Sequence, residues 1–128
     1  MEVSNLKNKT LGQSFKNAFN GIYQAMVSER NLRLHTVATA LVIIAGIILG
    51  LDTMRWIFLV LAIGLVLISE LLNTSLEKLT DMVTSEYSEE ARKVKDISAA
   101  AVLISAVLSA IVGLMVFYGP LMDLIKKF

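Results

Sequence analysis

Glu70, Asn73, Glu77 and Asp81 stand at offsets of 0, 3, 7 and 11 in the run ELLNTSLEKLTD. At about 100° per residue, a helix gathers these four positions into an arc roughly 80° wide. Three carboxyl groups and an amide therefore form one stripe, with Thr74 beside it and Leu71, Leu72, Ser75 and Leu79 turned elsewhere. Carboxylates one and two turns apart repel each other unless a proton or a cation intervenes. Hard oxygen donors of this kind suit Mg²⁺ held together with phosphates. Glu70 comes directly after an apolar run, and an ionisable group at the edge of hydrocarbon is costly enough to be a functional candidate. There it is suited to act as a general base on a buried alcohol. The plainer reading is a solvated helix end whose charges are balanced by Lys78.

Two other groups of residues supply complementary chemistry. Lys95-Asp96 precedes an alanine-rich stretch and is expected to open the last helix. A lysine there neutralises phosphate, and a helix N-terminus adds amide donors for an anion. The alternative is that Asp96 caps the helix and Lys95 anchors it at the interface. Glu29-Arg30-Asn31-Leu32-Arg33 lies where an amphipathic segment meets the first long apolar run, and Glu29 there is a candidate to reach a metal held by Glu77. The alternative there is a polar hinge carrying positive-inside arginines. His35, the single histidine, has no metal-ligand partner at a recognisable spacing and reads as an interface residue.

These groups need elements to hold them, and the composition says which. The chain has 128 residues, 55% of them hydrophobic, and its mean hydropathy is +0.67. A soluble domain of this size cannot hide so much apolar surface. A net charge of +1 gives no footprint for nucleic acid. The absence of cysteine excludes disulfides, thiolate zinc sites and a catalytic thiol. The first ten residues are polar, so a cleavable signal sequence is not expected there.

Residues 11–29 read as an amphipathic helix, with Leu11, Phe15, Ala18, Phe19, Ile22 and Met26 on one face, lying in the membrane interface or packed on the protein's own core. Three spans follow, at about 34–51, 54–72 and 97–118. Each is long enough for a hydrocarbon layer of roughly 30 Å. Arg55 and Trp56 anchor the second span, whose helix continues unbroken toward Asp81. Gly119-Pro120 is expected to end the last helix. Its small residues, among them Ala99, Ala100, Ala101, Ser105, Ser109 and Gly113, permit close helix contacts. The chain is thus expected to be an all-α integral membrane protein of one domain. Lys7, Lys9, Lys16, Arg30, Arg33, Lys78, Arg92, Lys93 and Lys95 fall on one side of such a bundle, against Arg55, Lys126 and Lys127 on the other. The N-terminus and the long polar segment are therefore expected in the cytoplasm.

Glu70-Leu71-Leu72-Asn73-Thr74-Ser75-Leu76-Glu77 with Asp81, followed by Lys95-Asp96 and Ala99-Ala100-Ala101-Val102, resembles the signature of the small bacterial diacylglycerol kinases. Glu29-Arg30-Asn31, with Arg33 and His35, is more similar to the Gram-positive branch, whose members chiefly phosphorylate undecaprenol. The resemblance implies a homotrimer in the bacterial inner membrane, one interfacial helix and three spans per chain, and active sites shared between subunits and facing the cytoplasm. It implies Glu70 as general base, and Glu29 and Glu77 as holders of Mg²⁺ with ATP. Lys95, Asp96, Glu86 and Tyr87 match nucleotide contacts, Arg33 a position near the lipid, and Asn73 and Asp81 supporting polar positions. Soluble-kinase motifs are absent: the sequence has no GxxxxGK[ST], HRD or DFG. A diacylglycerol kinase is the alternative to an undecaprenol kinase. A small channel lined by the Glu70 stripe is the reading from another class.

Overall fold

The computed structural model describes residues 10–127, four α-helices in the order α1 (Leu11–Ser28), α2 (Arg30–Ile48), α3 (Thr53–Val83) and α4 (Glu89–Ile125). Lys7 and Lys9, counted above for topology, lie outside the described residues. Three of the helices, α2, α3 and α4, are long and apolar enough to cross a membrane. Most of their large apolar side chains are exposed, among them Ile48, Leu61, Leu103 and Leu114. That is how a spanning bundle meets lipid, which is as apolar as leucine itself.

The α1 helix starts where Thr10 accepts a hydrogen bond from the Gln13 amide at 3.2 Å, an N-cap that satisfies one orphan donor. Leu11, Phe15 and Phe19 along it are all more than half exposed. Its apolar stripe is therefore left uncovered by the protein core, as an interfacial helix requires. Glu29 breaks the chain from α1 into α2 with a single extended residue, φ −104° and ψ 118°. The break is clamped from three sides. Arg33 donates to the Met26 and Val27 carbonyls at 3.1 and 2.9 Å, Thr36 donates to the Met26 sulfur at 3.3 Å, and Lys78 of α3 donates to Ser28 Oγ at 3.3 Å. The carbonyls at a helix end lack intrahelical partners, so the guanidinium is spent where it is needed.

The turn from α2 to α3 begins earlier than the sequence indicates. Helix α2 stops at Ile48, and Gly50 takes φ +61°, the left-handed conformation that suits glycine. Asp52 then caps α3, accepting from the Arg55 amide at 3.0 Å, and its carboxylate also pairs with the Arg55 guanidinium. These contacts, the amide bond foremost, hold the Asp52 carboxyl below the usual carboxylate range. Gly46 faces this turn. A Cβ there would stand 2.9 Å from the Trp56 ring and 3.1 Å from Leu51, so only hydrogen lets Trp56 close over α2. Leu51, Leu59 and Val116, with Trp56 and Phe117 against them, form the apolar core beside this turn.

The 31 residues of α3 extend roughly 46 Å at about 1.5 Å each, beyond a hydrocarbon layer of roughly 30 Å. One span therefore also supplies a stalk, and Asn73 to Asp81 ride on it. Helix α4 is longer than the expected 97–118 span at both ends. Ser88 caps it by accepting from the Ala91 amide at 3.3 Å, and Glu89 and Glu90 in its first turn complement the helix dipole. At the other end Pro120 lies inside the helix. Proline costs one backbone bond, and Gly and Pro are tolerated in spanning helices where local adjustments satisfy the freed groups.

Helices α3 and α4 are the most closely packed pair, fastened by small hydroxyl side chains. Ser98 donates to Asn73 at 2.6 Å, Ser105 and Ser69 share a bond of 2.7 Å, and Ser109 donates to the Ala62 carbonyl at 2.9 Å. The small-residue face of α4 therefore divides. Its serines meet α3, whereas Ala99, Ala100, Ala101 and Ala110 are exposed, and a Cβ added at Gly113 would meet open space.

Candidate active site

Among the described residues Glu70 is the most deeply buried charged one, 2% exposed, and its Oε1 accepts no aligned hydrogen bond. Leaving a buried carboxylate oxygen unpaired is expensive, and native structures keep such groups mainly where they have work to do. Two helices and a hinge converge on it. His35 of α2 brings Nε2 to 3.2 Å from Oε1. Glu77, two turns along α3, and Glu29, in the break before α2, are the carboxylates whose charges bear on it. Glu29 and Glu77 are both half-buried.

The rest of the α3 stripe is organised by α4. Asn73 donates to Glu77 Oε1 at 3.0 Å while accepting from Ser98. The amide thereby orients the carboxylate, and α4 orients the amide. Asp81 pairs with Lys95 at 2.5 Å, which ties the outer stalk to α4. These contacts turn Asn73 and Glu77 toward the bundle, while Asp81 stays exposed at the outer end of the stripe.

A second cluster lies farther along the stalk. A cleft of about 410 Å³ is lined by Asp81, Glu86, Tyr87, Arg92, Lys95 and Asp96, with Thr80, Thr84, Ser85, Ser88 and Ala91 completing its wall. The turn carrying Glu86 is set by Thr84, which bonds both the Glu86 amide and its carbonyl. Tyr87 is 81% exposed, and Asp96 faces Arg92 at 3.6 Å. Lys95 and Asp96 do not open α4, as the sequence reading expected. They lie in its second turn, because Ser88 is the cap, and so the first-turn amides are not beside them. What they offer an anion is the lysine charge with the arginine next to it.

The structure thus brings Glu70, Glu29, Glu77 and Asn73 into one group, and Asp81, Glu86, Tyr87, Lys95 and Asp96 into another along the same stalk. Arg33 joins neither, because its guanidinium caps α1. The contacts that two further residues, Ser98 and His35, make with the first group are not evident from the sequence. Ser98 carried the signal of a lone serine one turn past Lys95. His35 lay six residues after Glu29 and so on a different part of the helix from the break. Only the crossing of α2 over α3 shows that it meets Glu70.

Among the described residues, no cluster of three or more histidines or carboxylates is arranged to hold a metal by itself. Glu77 and Glu29 are nevertheless oxygen donors of the right hardness, and a Mg²⁺ that takes its remaining ligands from phosphate and water needs only one or two carboxylates. The donor set fits that use.

Fold and site together define an integral membrane protein that keeps a buried carboxylate, faced by a histidine, where a spanning helix becomes a polar stalk. The chain matches the prokaryotic diacylglycerol kinase family over residues 16–117 and belongs to that family of membrane lipid kinases. It is 37% identical to the undecaprenol kinase of Bacillus subtilis, over 85% of this chain and 89% of that protein. It is 39% identical to a diacylglycerol kinase of Synechocystis, over 87% of this chain and 64% of that protein. Identity to the diacylglycerol kinase of Escherichia coli K12 is 33%, over 80% of this chain and 81% of that protein.

Proposed function

We propose that this chain transfers the γ-phosphoryl group of ATP to the primary hydroxyl of undecaprenol, at the cytoplasmic face of the bacterial inner membrane. The observation that carries this reading is the Glu70 carboxylate, buried and without a hydrogen bond at Oε1, at the end of an apolar span. A groove of about 220 Å³ in the spanning bundle is lined by His35, Val42, Leu59, Ile63 and Ala106. An apolar tail lying there brings its hydroxyl to the carboxylate from the lipid side.

In this mechanism Glu70 accepts the hydroxyl proton as the lipid oxygen bonds to the γ-phosphorus and the bond to the ADP oxygen breaks. Glu77 and Glu29 would hold Mg²⁺ with the triphosphate, and the ion would supply neutralisation of phosphate charge. Asn73, fixed by Ser98, keeps Glu77 aimed. Lys95 and Arg92 attract the nucleotide electrostatically, with Glu86, Tyr87 and Asp96 around it. Asp81 holds Lys95 in place, and Arg33 fixes the hinge on which Glu29 sits, near the entry of the lipid. Positioning and charge neutralisation supply most of the rate, because phosphoryl transfer asks little covalent chemistry of the protein.

Four helices are too few to enclose a nucleotide and a lipid tail together. The uncovered faces of α2 and α4 support a homotrimer in which neighbouring subunits complete each site. A channel, by contrast, has no use for the Lys95 cleft or for Glu29 beside Glu70. Undecaprenol is preferred to diacylglycerol on the Glu29-to-His35 motif. Both lipids present a primary hydroxyl, so the test is direct. Purified protein in mixed micelles is given labelled ATP with each lipid in parallel, with and without Mg²⁺. Undecaprenyl phosphate is expected as the faster product, and only with the metal. Faster formation of phosphatidic acid would transfer the proposal to diacylglycerol, and no lipid product from either would refute it.

A further inference from the structure

The proton that Glu70 receives has to leave again. The carboxylate side chain is 3% accessible, and Oε1 makes no aligned hydrogen bond. Asn73 does not drain it, being engaged by Glu77 and Ser98. Helix α4 meets α3 here through Ser98 and Ser105, neither of which titrates near neutrality. Glu77 and Glu29 are the other charged groups that bear on Glu70, and both are assigned above to the metal–nucleotide complex. One titratable side chain touches the carboxylate and is also partly accessible, near the start of the α2 span. His35 stands 3.2 Å from Oε1 and is 30% accessible.

We propose that His35 is a proton relay that returns Glu70 to its ionised state after each transfer, an inference that rests on Glu70 being the base. The proton on Glu70 Oε1 passes to His35 Nε2, breaking the carboxyl O–H bond and forming imidazolium. The imidazolium then loses its Nδ1 proton to water, and the ring regains its starting tautomer by exchange with solvent. No redox partner is involved, and the net change is one proton moved from a buried carboxyl to the aqueous side. Imidazole is the side chain best matched to this, since it exchanges protons readily near neutral pH. The position also fits the order of events. His35 also lines the groove assigned to the lipid tail, so departure of the product frees one side of its ring as Glu70 must be reset. His35 acts through Glu70 and touches no reacting phosphorus, which makes it a positioning and relay residue.

His35→Gln retains a polar side chain of similar reach but cannot hand a proton on. With saturating lipid, its kcat is expected to fall at least tenfold while the KM for ATP changes less than twofold. Added imidazole is expected to restore much of the loss, increasingly as pH rises through the titration of free imidazole. The same additive leaves Glu70→Gln inactive. A wild-type kcat in His35→Gln overturns the relay. So does a loss that imidazole fails to restore at any pH, because a merely structural histidine gives that pattern. If His35→Gln does not purify as a folded helical protein, His35→Asn carries the same comparison. Wild-type turnover by Glu70→Gln would instead remove the base itself, so failure of the relay and failure of the underlying mechanism give different results.

Discussion

The two ends of the α3 helix are built on opposite rules. At the Asp52 end, Trp56 lies over Gly46, Leu51 and Leu59 pack with Val116, and the cap is satisfied by Arg55. At the Glu70 end the contacts between helices are polar, and the buried Oε1 of Glu70 is left without an aligned hydrogen bond. The first end holds the bundle together, while the second carries the cost that chemistry imposes. A cleft of about 460 Å³ also occurs at the Asp52 end, but its charged lining is the Asp52–Arg55 pair alone. Its volume does not make it a site.

The contrast can be broken at either end. The largest structural effect is expected from Gly46→Val, which forces β-branched bulk into the Trp56 ring and should cost about 1–3 kcal/mol. Thermal unfolding in detergent would read this as a lowered midpoint, while kcat per folded molecule stays near wild type. A loss of kcat without a change in midpoint would mean that the two ends are not separable. A smaller effect on stability is expected from Ser98→Ala, which removes one interhelical hydrogen bond worth about 1 kcal/mol. Here activity should suffer more than the midpoint does, because Asn73 loses the partner that keeps Glu77 aimed. The expected signature is a several-fold rise in the Mg²⁺ concentration needed for half-maximal turnover. An unchanged metal requirement would show that Ser98 only packs.

Much of this arrangement was legible in the sequence. The apolar runs fixed three spans because backbone in lipid has to close its own hydrogen bonds, and the 70, 73, 77, 81 spacing put the polar groups on one face. The ends of helices were less legible. Pro120 and Gly119 looked like a stop, yet the helix passes them to Ile125, and the Ser88 cap moved the start of α4 ahead of Lys95. The least legible feature was the meeting of His35 with Glu70. The two residues are 35 positions apart, and no periodicity within one helix encodes how α2 crosses α3.

The central claim is that a buried carboxylate at the membrane edge takes the proton from a lipid hydroxyl. Glu70→Gln tests it most directly, since it keeps the shape and removes the charge. With undecaprenol, ATP and Mg²⁺ at saturation, phosphoryl transfer by this variant should fall by at least about 10²-fold, as loss of a general base implies, with helical content and unfolding midpoint retained. Turnover by folded Glu70→Gln within a few-fold of wild type would contradict the account.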